Sequence, residues 1–246
     1  MSRIDKIICF DLETTGVDSH VDDVIEFSAV GYERGEDGKI SKPAERIDEF
    51  VKTNVDIEKK IIDRKDENGN PMTISSLTHI TNAMLAEYGI SEKDMVDLFI
   101  QLIYSNPALH ILLIGYNVNF DLNFIYTKIK KYYPDFVFER SNIDYLDVMA
   151  MYKDFFAWDK DFGHRLDAAV KNLQVPVKNT HRSIDDVDAT YGAFQNIVKK
   201  FGVLTPYINC FGYNAKYGYE TNLKKVTYIP QRGGGRDIVN RRSWKM

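Results

Sequence analysis

The run Ile7-Ile8-Cys9-Phe10-Asp11-Leu12-Glu13-Thr14-Thr15-Gly16 limits the possible folds more than any other stretch of this chain. Its apolar first half reads as a buried strand, and such strands seldom end on two ionised carboxylates without a counter-charge. Side chains alternate along a strand, so positions 11 and 13 point the same way. Two adjacent acids repel one another, and desolvation adds to the cost unless protons or cations neutralise them. Carboxylate oxygen suits hard divalent ions such as Mg²⁺ and Mn²⁺. The alternative is a strand end at the surface with two solvated acids, and 36 acidic residues in the chain keep that reading open.

Two further segments carry acids at element boundaries. Ile111–Ile114 reads as a second buried strand, and the stretch from Asn119 to about Lys131 has helical spacing. Asp121 then falls in the first helical turn behind Asn119 as N-cap, where the helix dipole alone would favour it. Later comes His181-Arg182-Ser183-Ile184-Asp185-Asp186. Ser183 and Asp186 would pass for a capping box opening a helix over 184–200. A cap leaves His181 unexplained.

Taken together, these segments resemble the DEDD superfamily of 3′–5′ exonucleases, in the branch with a catalytic histidine that includes the proofreading epsilon subunit of bacterial DNA polymerase III. Asp11 to Gly16 match its Asp-x-Glu-Thr-Thr-Gly motif. Asn117, Phe120 and Asp121 match Asn-x-x-Phe-Asp, and His181 and Asp186 match His-x-x-x-x-Asp. The resemblance covers roughly residues 5–200 and implies an α/β, ribonuclease-H-like mixed sheet flanked by helices. It implies that Asp11, Glu13, Asp121 and Asp186 hold two divalent cations, Mg²⁺ or Mn²⁺, about 3.5–4 Å apart. His181 becomes the general base, since an imidazole of pKa about 6.5 accepts a proton near neutral pH. Thr14, Thr15, Gly16, His79 and Asn117 are the implied substrate-binding positions. At Thr78-His79-Ile80-Thr81 the family's His-Gly-Ile-Thr is altered, with His79 in the glycine's place. Glu26 matches a second-strand glutamate whose contacts the sequence does not tell, and Asp147 an acid beside the site that a helix start would also explain.

The activity implied is release of nucleoside 5′-monophosphates from single-stranded 3′ ends, DNA before RNA, in proofreading or repair and beside a DNA polymerase. An exoribonuclease is the neighbouring alternative. A silent nucleic-acid-binding or polymerase-docking module is the alternative of another class, and binding alone has no use for four acids and His181.

Net charge is −4, an odd balance for a nucleic-acid protein until it is divided. Residues 203–246 hold eight Lys/Arg and two Asp/Glu, a balance of +6, which leaves −10 for residues 1–202. This divides the chain into a catalytic domain, 1–202, and a basic, aromatic-rich extension, 203–246. The extension runs Tyr207 to Tyr219 with interleaved aromatics, glycine and lysine, and it reads equally as a single-strand platform or as a hairpin packed on the body. Two cysteines give no disulfide framework or zinc cluster. Without a signal-peptide pattern or an apolar run near the ~20 residues that span a bilayer, a cytoplasmic protein without membrane contact is expected.

Along the chain, three early strands (6–11, 23–33, 45–52) precede a charged loop from Asp63 to Pro71. Helices near 76–87 and 92–105 follow, then strand 110–115, helix 120–131, strand 142–147 and helix 148–156. Helices near 164–173 and 184–201 close the domain. The cluster Phe155-Phe156-Ala157-Trp158 reads as core packing rather than a base-stacking platform.

Overall fold

The computed structural model describes residues 4–36, 38–66, 68–177, 181–212, 223–232 and 234–243, without the side chains of 41, 42 and 243. Asp37 of the run Gly35-Glu36-Asp37-Gly38, whose sequence reads as a turn between the second and third strands, lies outside them. So do Tyr213 to Tyr219 of the aromatic run and Gly233 of Gly233-Gly234-Gly235, which reads as a flexible break.

The chain opens with β1 (Lys6–Thr14), β2 (Val24–Arg34) and β3 (Ile40–Phe50), an antiparallel meander. Next come β4 (Ile61–Lys65), β5 (Pro71–Thr73) and helices α1 (Ile74–Thr78), α2 (Asn82–Tyr88) and α3 (Glu92–Tyr104). Alternation follows: β6 (Ile111–Gly115), α4 (Asn119–Tyr132), β7 (Ile143–Asp147), α5 (Val148–Phe155), α6 (Leu166–Leu173) and α7 (Ser183–Phe201). A 3₁₀ turn (Thr205–Tyr207), β8 (Cys210–Gly212), β9 (Thr227–Ile229) and α8 (Asp237–Ser243) complete the described elements. The main sheet has the order β3-β2-β1-β6-β7, with β6 and β7 parallel to β1. It is the mixed, helix-flanked sheet the sequence implies.

Strand alternation decides where the acids go. Ile8, Phe10 and Leu12 of β1 enter one core with Phe99 of α3 and Ile125 of α4. Ile7 and Cys9 enter the opposite core with Ala169 of α6 and Val187 of α7. Asp11 and Glu13 continue the second face beyond the apolar part of the strand, so they come out beneath the start of α7.

Three local expectations are corrected. The segment expected as a loop forms the hairpin β4–β5, because Asp66 to Asn70 close a turn in which Asp66 accepts from the backbone N–H of Asn68 and of Asn70. The single helix expected near 76–87 is broken at His79, which takes the left-handed conformation at φ 60°. The tail strands β8 and β9 run parallel, so they do not form a hairpin. Both pack on the body: Asn209 donates its backbone N–H to the Tyr145 carbonyl at 2.8 Å, and Tyr207, Cys210 and Phe211 are fully buried. Among the described residues, no helix is long and apolar enough to cross a membrane.

Candidate active site

Asp11 and Glu13 lie near the end of β1, each half-buried, and Glu13 lines a cavity. Glu13 lies opposite Glu26 of β2, and the register shifts one residue later, between Glu13 and Thr14. Glu26 is fully buried and takes two donors from the start of α7: Arg182, whose guanidinium approaches to 2.6 Å, and the Ser183 backbone N–H at 2.8 Å. Ser183 also shares a 2.6 Å hydroxyl contact with Ser28 of β2. The helix N-terminus is therefore pinned to β2, and Arg182, not Ser183, is the N-cap residue. A carboxylate oxygen of Asp186 lies within 4.8 Å of one of Glu13, at the end of β1.

Asp121 arrives from the opposite side, on the first turn of α4. Val118, not Asn119, is the cap residue there, without a side-chain cap. The Asp121 carboxylate instead accepts from its own backbone N–H and from that of Leu12, which holds the start of α4 against the end of β1. Asn117, at φ 62°, makes the turn before α4 and donates its N–H to Asp147 at 2.9 Å. Asp147 also accepts from Met149 at the start of α5, so one buried carboxylate joins the ends of β6 and β7.

This convergence has an electrostatic cost. Burial, and then the charges of Asp121, Asp186, Glu13 and Glu26, hold Asp11 well above the usual carboxylate range. Glu13 is raised by burial and by Asp186, Glu26 and Asp121, with Arg64 opposing. Burial also raises Asp121, and it pushes Asp147 up to about 6. Glu13, His181 and Asp186 each offer one ligand atom within 4.8 Å of the others. Oxygen-rich, mutually repelling donors open to a cleft fit hard divalent cations, which remove the repulsion.

His181, at φ 56°, sits just ahead of α7. Burial, followed by the positive charge of Arg64, lowers its pKa, so the imidazole is neutral and basic near pH 7. Arg64, on β4, is a residue the sequence reading missed, because its segment read as a loop. The only sequence signal was a cation in a charged stretch.

Thr14 and Gly16 line a cavity of about 290 Å³ beside Glu13, with Leu12, Arg64, Thr78 and Phe120. Thr15 does not line it. Its side chain is buried, and its hydroxyl accepts from the Asp23 N–H at 2.9 Å. At Gly16 a Cβ would meet the Asp22 carboxylate at 2.2 Å, so the loop closes only on glycine. His79 does not line the cavity either. Asn117 lines a second, separate cleft.

Residues 8–194 match the RNase_T family, described as exonuclease. The chain belongs to that family, within the DEDD superfamily of 3′–5′ exonucleases. Among its family relatives, the PolC-type DNA polymerase III of Lacticaseibacillus paracasei is 29% identical over 206 residues, 81% of this chain. That of Thermotoga petrophila is 29% identical over 199 residues, 80% of this chain. The chain spans only 12% of the length of each polymerase. Escherichia coli exonuclease I, solved in complex with a dT13 oligonucleotide, superposes with a TM-score of 0.58 at 20% identity, over 79% of this chain and 41% of that one. A moderately thermophilic exonuclease I from Methylocaldum szegediense gives 0.57 at 20% identity, over 80% and 40%. These neighbours establish the ribonuclease-H-like exonuclease fold for the family member described here.

Proposed function

We propose that this protein is a metal-dependent 3′–5′ exonuclease that removes nucleoside 5′-monophosphates from single-stranded DNA ends. The observation that carries the proposal is the convergence of Asp11, Glu13, Asp121 and Asp186, from three separate elements, beside a neutral His181 and the cavity that Glu13 lines. In this reading the four carboxylates hold two Mg²⁺ or Mn²⁺ ions, which supply Lewis-acid polarisation of the scissile phosphate and of the attacking water.

The remaining steps belong to the chain. His181 accepts the proton of the attacking water, since its lowered pKa keeps it unprotonated at neutral pH. The Glu26–Arg182 pair holds the start of α7 in place, and with it the distance between His181 and Asp186. The cavity by Thr14, Gly16 and Phe120 receives the terminal nucleoside. Arg64 at its edge places a positive charge where the phosphate turns toward the acids.

DNA is preferred over RNA as substrate because the family relatives quoted are DNA polymerases and the solved neighbour holds a DNA oligonucleotide. The same relatives support work beside a polymerase, in proofreading or repair. The test is incubation with end-labelled DNA and RNA single strands, in Mg²⁺ and in chelator. Shortening of the DNA from its 3′ end, dependent on metal, is expected. Intact DNA with shortened RNA would move the assignment to an exoribonuclease, and intact strands of both kinds would end it.

A further inference from the structure

The second cleft, about 470 Å³, reaches Asn117, in the turn that leads into α4 and its Asp121. Its floor is Asn117 and Met149, and its wall is the loop joining α5 to α6. The aromatic cluster of that loop divides sharply. Phe155 stacks on Phe201 with ring centroids 3.9 Å apart, and Phe156 stacks on Tyr152 at 4.7 Å. Both therefore pack as the sequence reading expects. Trp158 does not, and is 72% exposed.

The exposed indole is held, not dangling. Its ring lies against Gly163, where a Cβ would meet it at 2.9 Å, and edge-on to His164 with centroids 5.3 Å apart. Paired backbone hydrogen bonds between Asp159 and Gly163, at 3.0 and 2.8 Å, close the loop beneath it. The Tyr116 hydroxyl donates to the His164 carbonyl at 2.7 Å and ties the loop to the turn that carries Asn117. An aromatic ring fixed in this way and still open to solvent offers an unpaired base a surface to stack on.

The charges around it agree. Lys153, Lys160 and Arg165 line the cleft against one acid, Asp161, and Asp161 itself lies 4.0 Å from the Lys171 ammonium.

We infer that this cleft receives the nucleotides upstream of the scissile bond, with a base stacked on Trp158 and the following phosphates met by Lys160, Arg165 and Lys153. The inference rests on the exonuclease reading and adds the path of the strand: from the Thr14–Gly16 cavity, across the acids, to the α5–α6 loop. The chemical class is single-stranded polynucleotide, since a stack of this kind accepts an unpaired base and the cations follow its backbone.

Two measurements test it. In the first, kcat/KM is compared for strands of two and six nucleotides. The gain from lengthening should fall about tenfold in Trp158→Ala, as one lost base stack implies, and the salt slope of binding should drop by about one in Lys160→Gln. In the second, Trp244→Phe leaves Trp158 as the sole indole of the two in the chain. Titrating this variant in chelator with labelled hexathymidylate should quench Trp158 emission with the same midpoint as the strand's anisotropy. A full length gain in Trp158→Ala, or a bound strand with unchanged emission, would overturn the inference. Hydrolysis of a nitrophenyl ester of thymidine 5′-monophosphate by the unaltered protein checks the exonuclease reading separately, because that ester has no upstream strand.

Discussion

Asp11 illustrates how one residue is destabilising and indispensable at once. Burial and four neighbouring acids oppose its ionisation, so its raised pKa is a cost to the metal-free fold. Asp11→Asn should therefore raise the melting temperature of the metal-free protein while lowering the cleavage rate by about 10³-fold or more. Calorimetry and a labelled-strand assay on the same preparation check both halves. His181 carries a second prediction. Its loss should cost about 10²–10⁴ in the chemical rate with Mn²⁺ binding retained, as expected of a base. A thermal shift on adding Mn²⁺ that disappears in His181→Ala would instead make it a ligand.

At the scale of elements, two contacts position the site from outside it. The β4–β5 hairpin brings Arg64 close enough to lower the His181 pKa. Removing that positive charge stabilises the imidazolium, so Arg64→Ala should shift the acidic limb of the rate–pH profile to higher pH. An unmoved limb would show that the hairpin does not reach the base. The start of α7 depends on Glu26, fully buried and paired with Arg182 at 2.6 Å. Glu26→Ala removes one partner of a buried pair and should cost about 3 kcal/mol in denaturant unfolding. Its kcat should fall as well, because the His181–Asp186 segment loses its anchor on β2.

The whole molecule couples the cleft to stability through pH. Asp11, Glu13 and Asp121 hold protons in the fold where the unfolded chain has already released them, and Asp147 does so up to about pH 6. Their contribution is full below the ordinary carboxylate pKa and is lost as pH rises through the raised values. The gap in melting temperature between Asp11→Asn and the unaltered protein should accordingly widen from pH 4 to pH 7 without metal, and close when Mn²⁺ is added. The extension also acts at this scale. Tyr207, Cys210, Phe211, Ile229 and Ile238 are buried against the body, so truncation after Gly202 should lower the melting temperature by more than about 5 °C. A truncated chain of unchanged stability would mean that these contacts are dispensable.

The order of the strands and helices around the site, the shared face of Asp11 and Glu13, and the helical placement of Asp121 and Asp186 were legible in the sequence. Each depends on a short-range period, two along a strand or about 3.6 along a helix, that apolar residues write directly. Motif order then grouped acids more than 100 residues apart through family resemblance. What the tertiary structure alone decided are the pairings between distant segments. Glu26 finds Arg182, Thr15 turns inward to Asp23, the charge of Arg64 acts on His181, and Trp158 faces solvent while Phe155 and Phe156 beside it are packed. None of these has a period to read. Whether a buried glutamate is paired, or an aromatic is core or platform, depends on which surface the rest of the chain brings against it.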